Sequence, residues 1–135
     1  MRIELTRRGD YAVRAALVLA RRGRMMSGAS IAAEAGIPPS FVPQVMGHLV
    51  RGGIAKNRLG RGGGYGLARR PRDITLLAIV EAVEGDPRRR TCVMRNHDCG
   101  RDGYCDLHPA FAAAQEALLR SLAGVSLADV SHAAH

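Results

Sequence analysis

Residues 37–70 read IPPSFVPQVMGHLVRGGIAKNRLGRGGGYGLARR, and the fold turns on them. Pro38 and Pro39 cannot lie in a helix interior, and Pro43 is tolerated only in a first turn, so a short helix begins near Phe41 and runs to Arg51. With Ser40 as N-cap, Pro43 falls at the third helical position, where a missing N–H costs nothing. Ile54 to Arg58 then reads as a strand. Leu59 to Gly64 forms a turn and Tyr65 to Ala68 returns, which makes a β-hairpin with a glycine-rich tip.

Working outward, SGASIAAEA (residues 27–35) reads as another short helix with Ser27 or Ser30 as its cap, and Gly36-Ile37 as a turn. Helix, glycine-containing turn and helix followed by a basic hairpin is the pattern of a winged helix-turn-helix. Such a second helix enters the major groove with its N-terminal residues foremost. That nominates Ser40, Phe41 and Gln44 for base edges, with His48 and Arg51 further back. In the wing, Arg58 and Arg61 can reach a phosphate or the minor groove, and Gly62 and Gly63 let the backbone come close. A glycine-rich loop can also cradle a nucleotide, but no Gly-Lys-Ser/Thr follows and no long helix starts there.

TRRGDYAVRAALVLARR (residues 6–22) reads as a first helix, stopped by Gly23. After the wing, ITLLAIVEAVEG reads as a helix capped by Asp73 or Thr75 and stopped by Gly85. The linker GDPRRR follows. Beyond Pro109, AFAAAQEALLRSL is strongly helical, with Phe111, Gln115, Leu118 and Leu122 on one face and Ala112 and Leu119 beside it. A small domain does not bury that face alone, and a dimer helix suits a regulator that binds two-fold half-sites. SLADV forms a last turn, and the tail SHAAH, with its two histidines, reads as disordered.

Charge supports the nucleic-acid reading. The net is +8, but residues 1–72 carry 14 basic and 3 acidic side chains, whereas residues 73–135 carry 6 and 9. A basic first half is a footprint for a phosphate backbone. No apolar run approaches a membrane span, and the opening MRIELTRRGD lacks a secretory segment, so a cytoplasmic location is expected, with no membrane partner.

All three cysteines fall in one polar, glycine-containing stretch: Cys92, Cys99 and Cys105, then His108, spaced C-x6-C-x5-C-x2-H. In a reducing compartment, thiols so placed are metal ligands or redox sensors rather than a disulfide framework. Zinc favours closer cysteine pairs, and a bare thiol switch needs only two cysteines. Cysteine with histidine can form a nucleophile pair, but no orienting acid is legible. An enzyme is therefore not expected, nor a small-molecule substrate. Arg88, Arg89, Arg90, Arg95 and Arg101 surround the thiols, either to lower their pKa and offset charge or as an ordinary basic surface.

MRIELTRRGDYAVRAAL, the wing with its continuation GRGGGYGLARRPRDITLLAIVEAVEG, the three-cysteine loop and the SLADV ending together resemble the Rrf-two family of bacterial regulators, of IscR, NsrR and RirA type. The resemblance spans nearly the whole chain. It implies a homodimer that binds a promoter operator in double-stranded DNA, with an affinity set by an iron–sulfur cluster. Likeness to the IscR type makes His108 the fourth ligand, after Cys92, Cys99 and Cys105, of a 2Fe–2S cluster, the arrangement preferred here. Likeness to the NsrR type makes Asp10, from the partner subunit, the fourth ligand of a 4Fe–4S cluster. His97 has no counterpart in the family pattern. Two departures bear on the operator: Pro43 stands where the IscR type has an acidic residue, and Leu59 where the wing usually has arginine.

The expected architecture is thus mainly α with a small β-hairpin. A winged helix-turn-helix occupies residues 1–85, a cysteine-rich cluster loop 86–108, and a dimerisation helix with a short tail 109–135. The expected function is a transcription regulator that senses iron–sulfur status, redox or nitric oxide. The alternative is the same regulator with a zinc site or a bare thiol switch.

Overall fold

The computed structural model describes residues 1–89, 91–94, 98, 100 and 103–131. The order of elements is α1 (Arg7–Arg22), α2 (Gly28–Ala35), α3 (Val42–Arg51), β1 (Ala55–Arg58), β2 (Gly64–Leu67), α4 (Leu76–Glu84), α5 (His108–Ala123) and α6 (Leu127–Val130), with 3-10 turns at Pro39–Phe41 and Pro71–Asp73. The described residues are mainly helical with a two-stranded antiparallel hairpin, the winged helix expected from the sequence.

The caps explain the boundaries. Thr6, Ser27 and Thr75 each take an N-terminal amide of their helix on the side-chain oxygen, from Gly9, Ser30 and Ala78. Gly23 and Gly36 close α1 and α2 in the left-handed conformation. α3 departs from expectation. Ser40 lies inside the 3-10 turn and Phe41 takes the cap position without a side-chain cap bond, so Pro43 is the second helical residue and not the third. An N-cap oxygen serves the second or third amide of its helix, and with Ser40 as cap Pro43 removes the third, so one of the donors that would hold Ser40 in place does not exist.

The core is shared by α1, α2, α3 and α4. Ala12, Ala15, Ala16 and Leu19 of α1 meet Ile31 of α2, Val45, Met46 and Leu49 of α3 and Ile79 of α4. Small residues on α1 let its neighbours approach. Gly52, after α3, serves the same end, since a Cβ there would stand 2.7 Å from that of Ala82. In the wing, Ala55 pairs with Leu67 and Arg58 with Gly64. Met26 adds a bridge to Tyr65, with reciprocal backbone bonds of 2.8 Å, and so fastens the hairpin to the segment between α1 and α2.

The end of the chain returns to this core. Leu76 N–H donates to the carbonyl of Val125 and Leu127 N–H to that of Ile74, and the Leu127 side chain is fully buried in the main cluster. A capping box between Ser126 and Asp129 starts α6, and the Arg21 guanidinium donates to the Ser131 carbonyl. Residues 125–131 therefore pack as part of the winged-helix unit. The SHAAH histidines lie outside the described residues.

Candidate nucleic-acid interface and cysteine loop

α3 has two faces. Val42, Val45, Met46 and Leu49 are buried, while Ser40, Pro43, Gln44 and Arg51 are exposed, with Gly47 and His48 half-exposed between them. Nearly all the expected base-reading residues share this outer face. Arg51 Nη2 and His48 Nδ1 are 3.3 Å apart, so these two act as a pair. Phe41 differs: its ring meets Tyr11 edge-on with centroids 5.2 Å apart, half-buried against the core. Its contribution is to set the angle between α1 and the start of α3. Gly47, which the sequence reading passed over, keeps the middle of the outer face open for the Arg51 guanidinium, 3.3 Å from where a Cβ would stand.

The wing tip is built from glycine geometry. Gly60 and Gly62 have φ of 85° and 69°, and Gly63 N–H closes the turn onto the Gly60 carbonyl at 3.1 Å. A Cβ at Gly63 would collide with the Arg58 carbonyl, and one at Gly64 with the Met26 backbone. Arg58, Arg61 and Gly62 are exposed and Gly63 is half-buried. Several other arginines are already paired with acids: Arg14 with Asp10, Arg22 with Glu34 and Arg70 with Asp73. The wing arginines have no carboxylate partner among the described residues, which leaves their charge available to a phosphate.

The cysteine loop lies between the ends of α4 and α5. Cys92 and Cys105 are 4% and 9% exposed, both outside the main core cluster. Cys99 and His97 lie outside the described residues, as do Arg90, Arg95 and Arg101. His108 is the first residue of α5. Its amide donates to the Cys105 carbonyl at 3.0 Å, and its ring stacks on Tyr104 at 4.0 Å. Two arginines near the thiols are otherwise engaged. Arg88 sits 3.5 Å from both Asp86 and Glu116, and the Arg89 guanidinium donates to the Thr91 carbonyl. The Arg89 amide donates to Gln115 Oε1, which ties the loop's entry to α5. Asp10 is half-exposed and bonded to Arg14 Nε at 2.7 Å. Among the described residues no three His, Cys, Asp or Glu side chains stand together as a metal-binding group. The described donors are two buried thiols and a half-buried imidazole, a soft set that fits a thiolate-ligated cluster.

The sequence pattern for α5 needs one correction. The expected face divides: Leu119 is buried and Ala112, Gln115 and Leu122 half-buried, whereas Leu107, Phe111, Ala114 and Leu118 are exposed. The first group packs α5 onto its own chain alongside α4. The second is a stripe at helical spacing whose large side chains stay about two-fifths exposed, Leu107 at 42%, Phe111 at 37% and Leu118 at 40%. No described helix is long and apolar enough to cross a membrane.

A family model described as Rrf2, iron-dependent transcriptional regulator, matches residues 5–133. Protein rrf2 of Nitratidesulfovibrio vulgaris is 30% identical over 130 residues, covering 95% of this chain and 87% of that protein. Among solved structures, T. potens IscR superposes with a TM-score of 0.77 at 24% identity, covering 98% of this chain and 93% of that one. CymR, the global cysteine regulator of B. subtilis, superposes with a TM-score of 0.77 at 22% identity, covering 96% and 97%. At such identities these two likenesses speak for the fold.

Proposed function

Because the chain belongs to the Rrf2 family of transcriptional regulators, we propose that it is a homodimeric DNA-binding protein whose operator affinity is set by an iron–sulfur cluster in the Cys92–His108 loop. The single observation that carries the cluster reading is the burial of Cys92 and Cys105, the latter bonded through its carbonyl to the His108 amide, in a loop whose entry is bonded to α5. A surface redox thiol has to be reached by its oxidant, whereas a ligand thiol is sheltered.

In this reading Cys92, Cys99 and Cys105 hold the cluster, and His108 fills the fourth position, its imidazole steadied by Tyr104. Bound there, the cluster supplies a redox-sensitive and removable crosslink of the loop. The N-terminus of α5 favours the negative charge of the thiolates. Asp10 remains the alternative ligand, and it has to leave Arg14 to serve. The stripe Leu107, Phe111, Ala114 and Leu118 is the dimer surface, together with the exposed Ile3 and Leu5 of the N-terminal segment. Ligation at the start of α5 orders the loop, whose entry is bonded to Gln115, and so biases how the two winged helices are spaced on the duplex. Ser40, Gln44, His48 and Arg51 read the major groove, and Arg58 and Arg61 hold the wing on the backbone.

The test is anaerobic purification followed by iron and sulfide analysis with a visible absorption spectrum. About two irons and two sulfides per chain support ligation by three cysteines and His108. About four of each support the larger cluster, with Asp10 the residue to replace next. Zinc, or metal-free thiols, would overturn the cluster and leave a winged-helix regulator with a different loop chemistry.

A further inference from the structure

Leu59 stands at the tip of the wing and is 90% exposed. Among the described large hydrophobic residues only the N-terminal Met1 is more exposed, at 99%. Singly exposed leucines are ordinary on protein surfaces, so exposure alone carries nothing. Position does. From Arg58 to Gly64 four of the seven residues are glycine, and only Arg58, Leu59 and Arg61 carry side chains. The hairpin pairing ends at Arg58 with Gly64, and Leu59 is the next residue. The tip is therefore thin, and its turn is closed by the bond between Gly63 and Gly60. It presents one apolar side chain between two arginines that have no acidic partner among the described residues.

A narrow cationic tip with an apolar side chain at its centre is matched to one feature of a duplex. Two exposed arginines so spaced suit the phosphates that flank a minor groove. The leucine between them, which can make no hydrogen bond, suits the groove floor or the edge of a base step. We propose that Leu59 is a specificity-determining residue that presses into the minor groove beside each major-groove half-site and favours a TA step there. The physical grounds are threefold. An apolar group on the floor clashes with the protruding guanine amino group and would leave its donor unpaired, whereas A·T pairs leave room for it. Pyrimidine–purine steps unstack most readily, TA among them. Apolar wedges in the minor groove kink DNA by opening such steps. Recognition at this point is thus by shape and deformability, at a position where no donor or acceptor of the protein reads a base.

The inference rests on the wing being carried to the duplex and does not depend on the cluster. Its test is selection from a random duplex library by the anaerobically purified protein and by its Leu59→Ala and Leu59→Met variants. Bending of the selected duplex is followed by energy transfer between end labels. The exposure of Leu59 means that neither variant loses packing. The wild-type pool is expected to carry a TA step at a fixed distance outside each half-site. Leu59→Ala should keep the half-site, lose the flanking preference, bind the best duplex about tenfold more weakly and bend it less. Leu59→Met, still apolar, should restore both preference and bend. Identical pools and bends for wild type and Leu59→Ala would overturn the proposal. Arg58→Ala separates the two ways of failing: if it too changes nothing, the wing does not reach the duplex, and if it weakens binding, the wing does but the leucine reads nothing.

Discussion

Glu84, the last residue of α4, caps α1 from 78 residues beyond Thr6. Its Oε2 accepts from both the backbone N–H and the hydroxyl of Thr6, at 3.1 and 2.9 Å, and the Thr6 oxygen in turn accepts from Gly9 N–H at 3.1 Å. The start of α1 and the end of α4 are thereby tied where the cysteine loop begins. Gly9 is part of the same device, because a Cβ there would collide with the Glu84 carboxylate. A carboxylate at a helix N-terminus also meets the positive end of the dipole.

The first prediction follows from that geometry. Glu84→Ala should lower stability by about 1 kcal/mol, since the bonds are near the surface and only the net exchange with water is lost. Gly9→Ala displaces the Glu84 carboxylate but gains helix propensity, so it should be close to neutral in wild type and stabilising by up to about 1 kcal/mol in the Glu84→Ala background. Denaturant unfolding of the four proteins checks this, and strict additivity would contradict it.

A second prediction concerns the C-terminal turn. Leu127 is fully buried with Ile74 and Ile79 in the main cluster, though it lies beyond the long helix α5. Leu127→Ala should destabilise the protein by roughly 2–5 kcal/mol, as other buried leucines do. Thermal unfolding measures it. A loss below about 1 kcal/mol, the scale of a surface change, would contradict the packing.

The third prediction is electrostatic. Arg58 and Arg61 carry no acidic partner among the described residues, while Arg14, Arg22 and Arg70 are each paired. Replacing either wing arginine by alanine should weaken duplex binding and reduce the slope of log affinity against log salt by about 1. Arg22→Ala should leave the slope unchanged, because Glu34 already neutralises that charge. Affinity measured over a range of salt concentrations decides it.

How far the sequence was legible depends on the range of the interaction. Gly23, Ser27, Thr75 and Gly85 act within a turn of their helices, and each helix ends where its local chemistry dictates. Local reasoning failed at Ser40, where two prolines impose a 3-10 turn in place of an ordinary cap. Contacts between distant residues left no local signal. Glu84 with Thr6, Met26 with Tyr65 and Leu127 in the core join segments whose periodicity says only that they have an apolar side. On α5, apolar spacing did not tell the face that packs inward, marked by Leu119, from the face left open, marked by Phe111 and Leu118. The candidate site was legible as a set of residue types, since three cysteines and a histidine in one loop stand out by composition. The burial of Cys92 and Cys105 and the stacking of His108 on Tyr104 were not.

The central claim is that the state of the Cys92–His108 loop sets affinity for DNA. The direct measurement is titration of one selected duplex, at fixed salt, with the anaerobically purified protein and with the same protein after chelation and reduction, its dimeric state verified in both. The account predicts affinities that differ by about tenfold or more, within the usual range of coupling between two sites. It also predicts that replacing Cys92 by serine removes the difference. Equal affinities in the two forms, with the cluster demonstrably present in one and absent from the other, would contradict it.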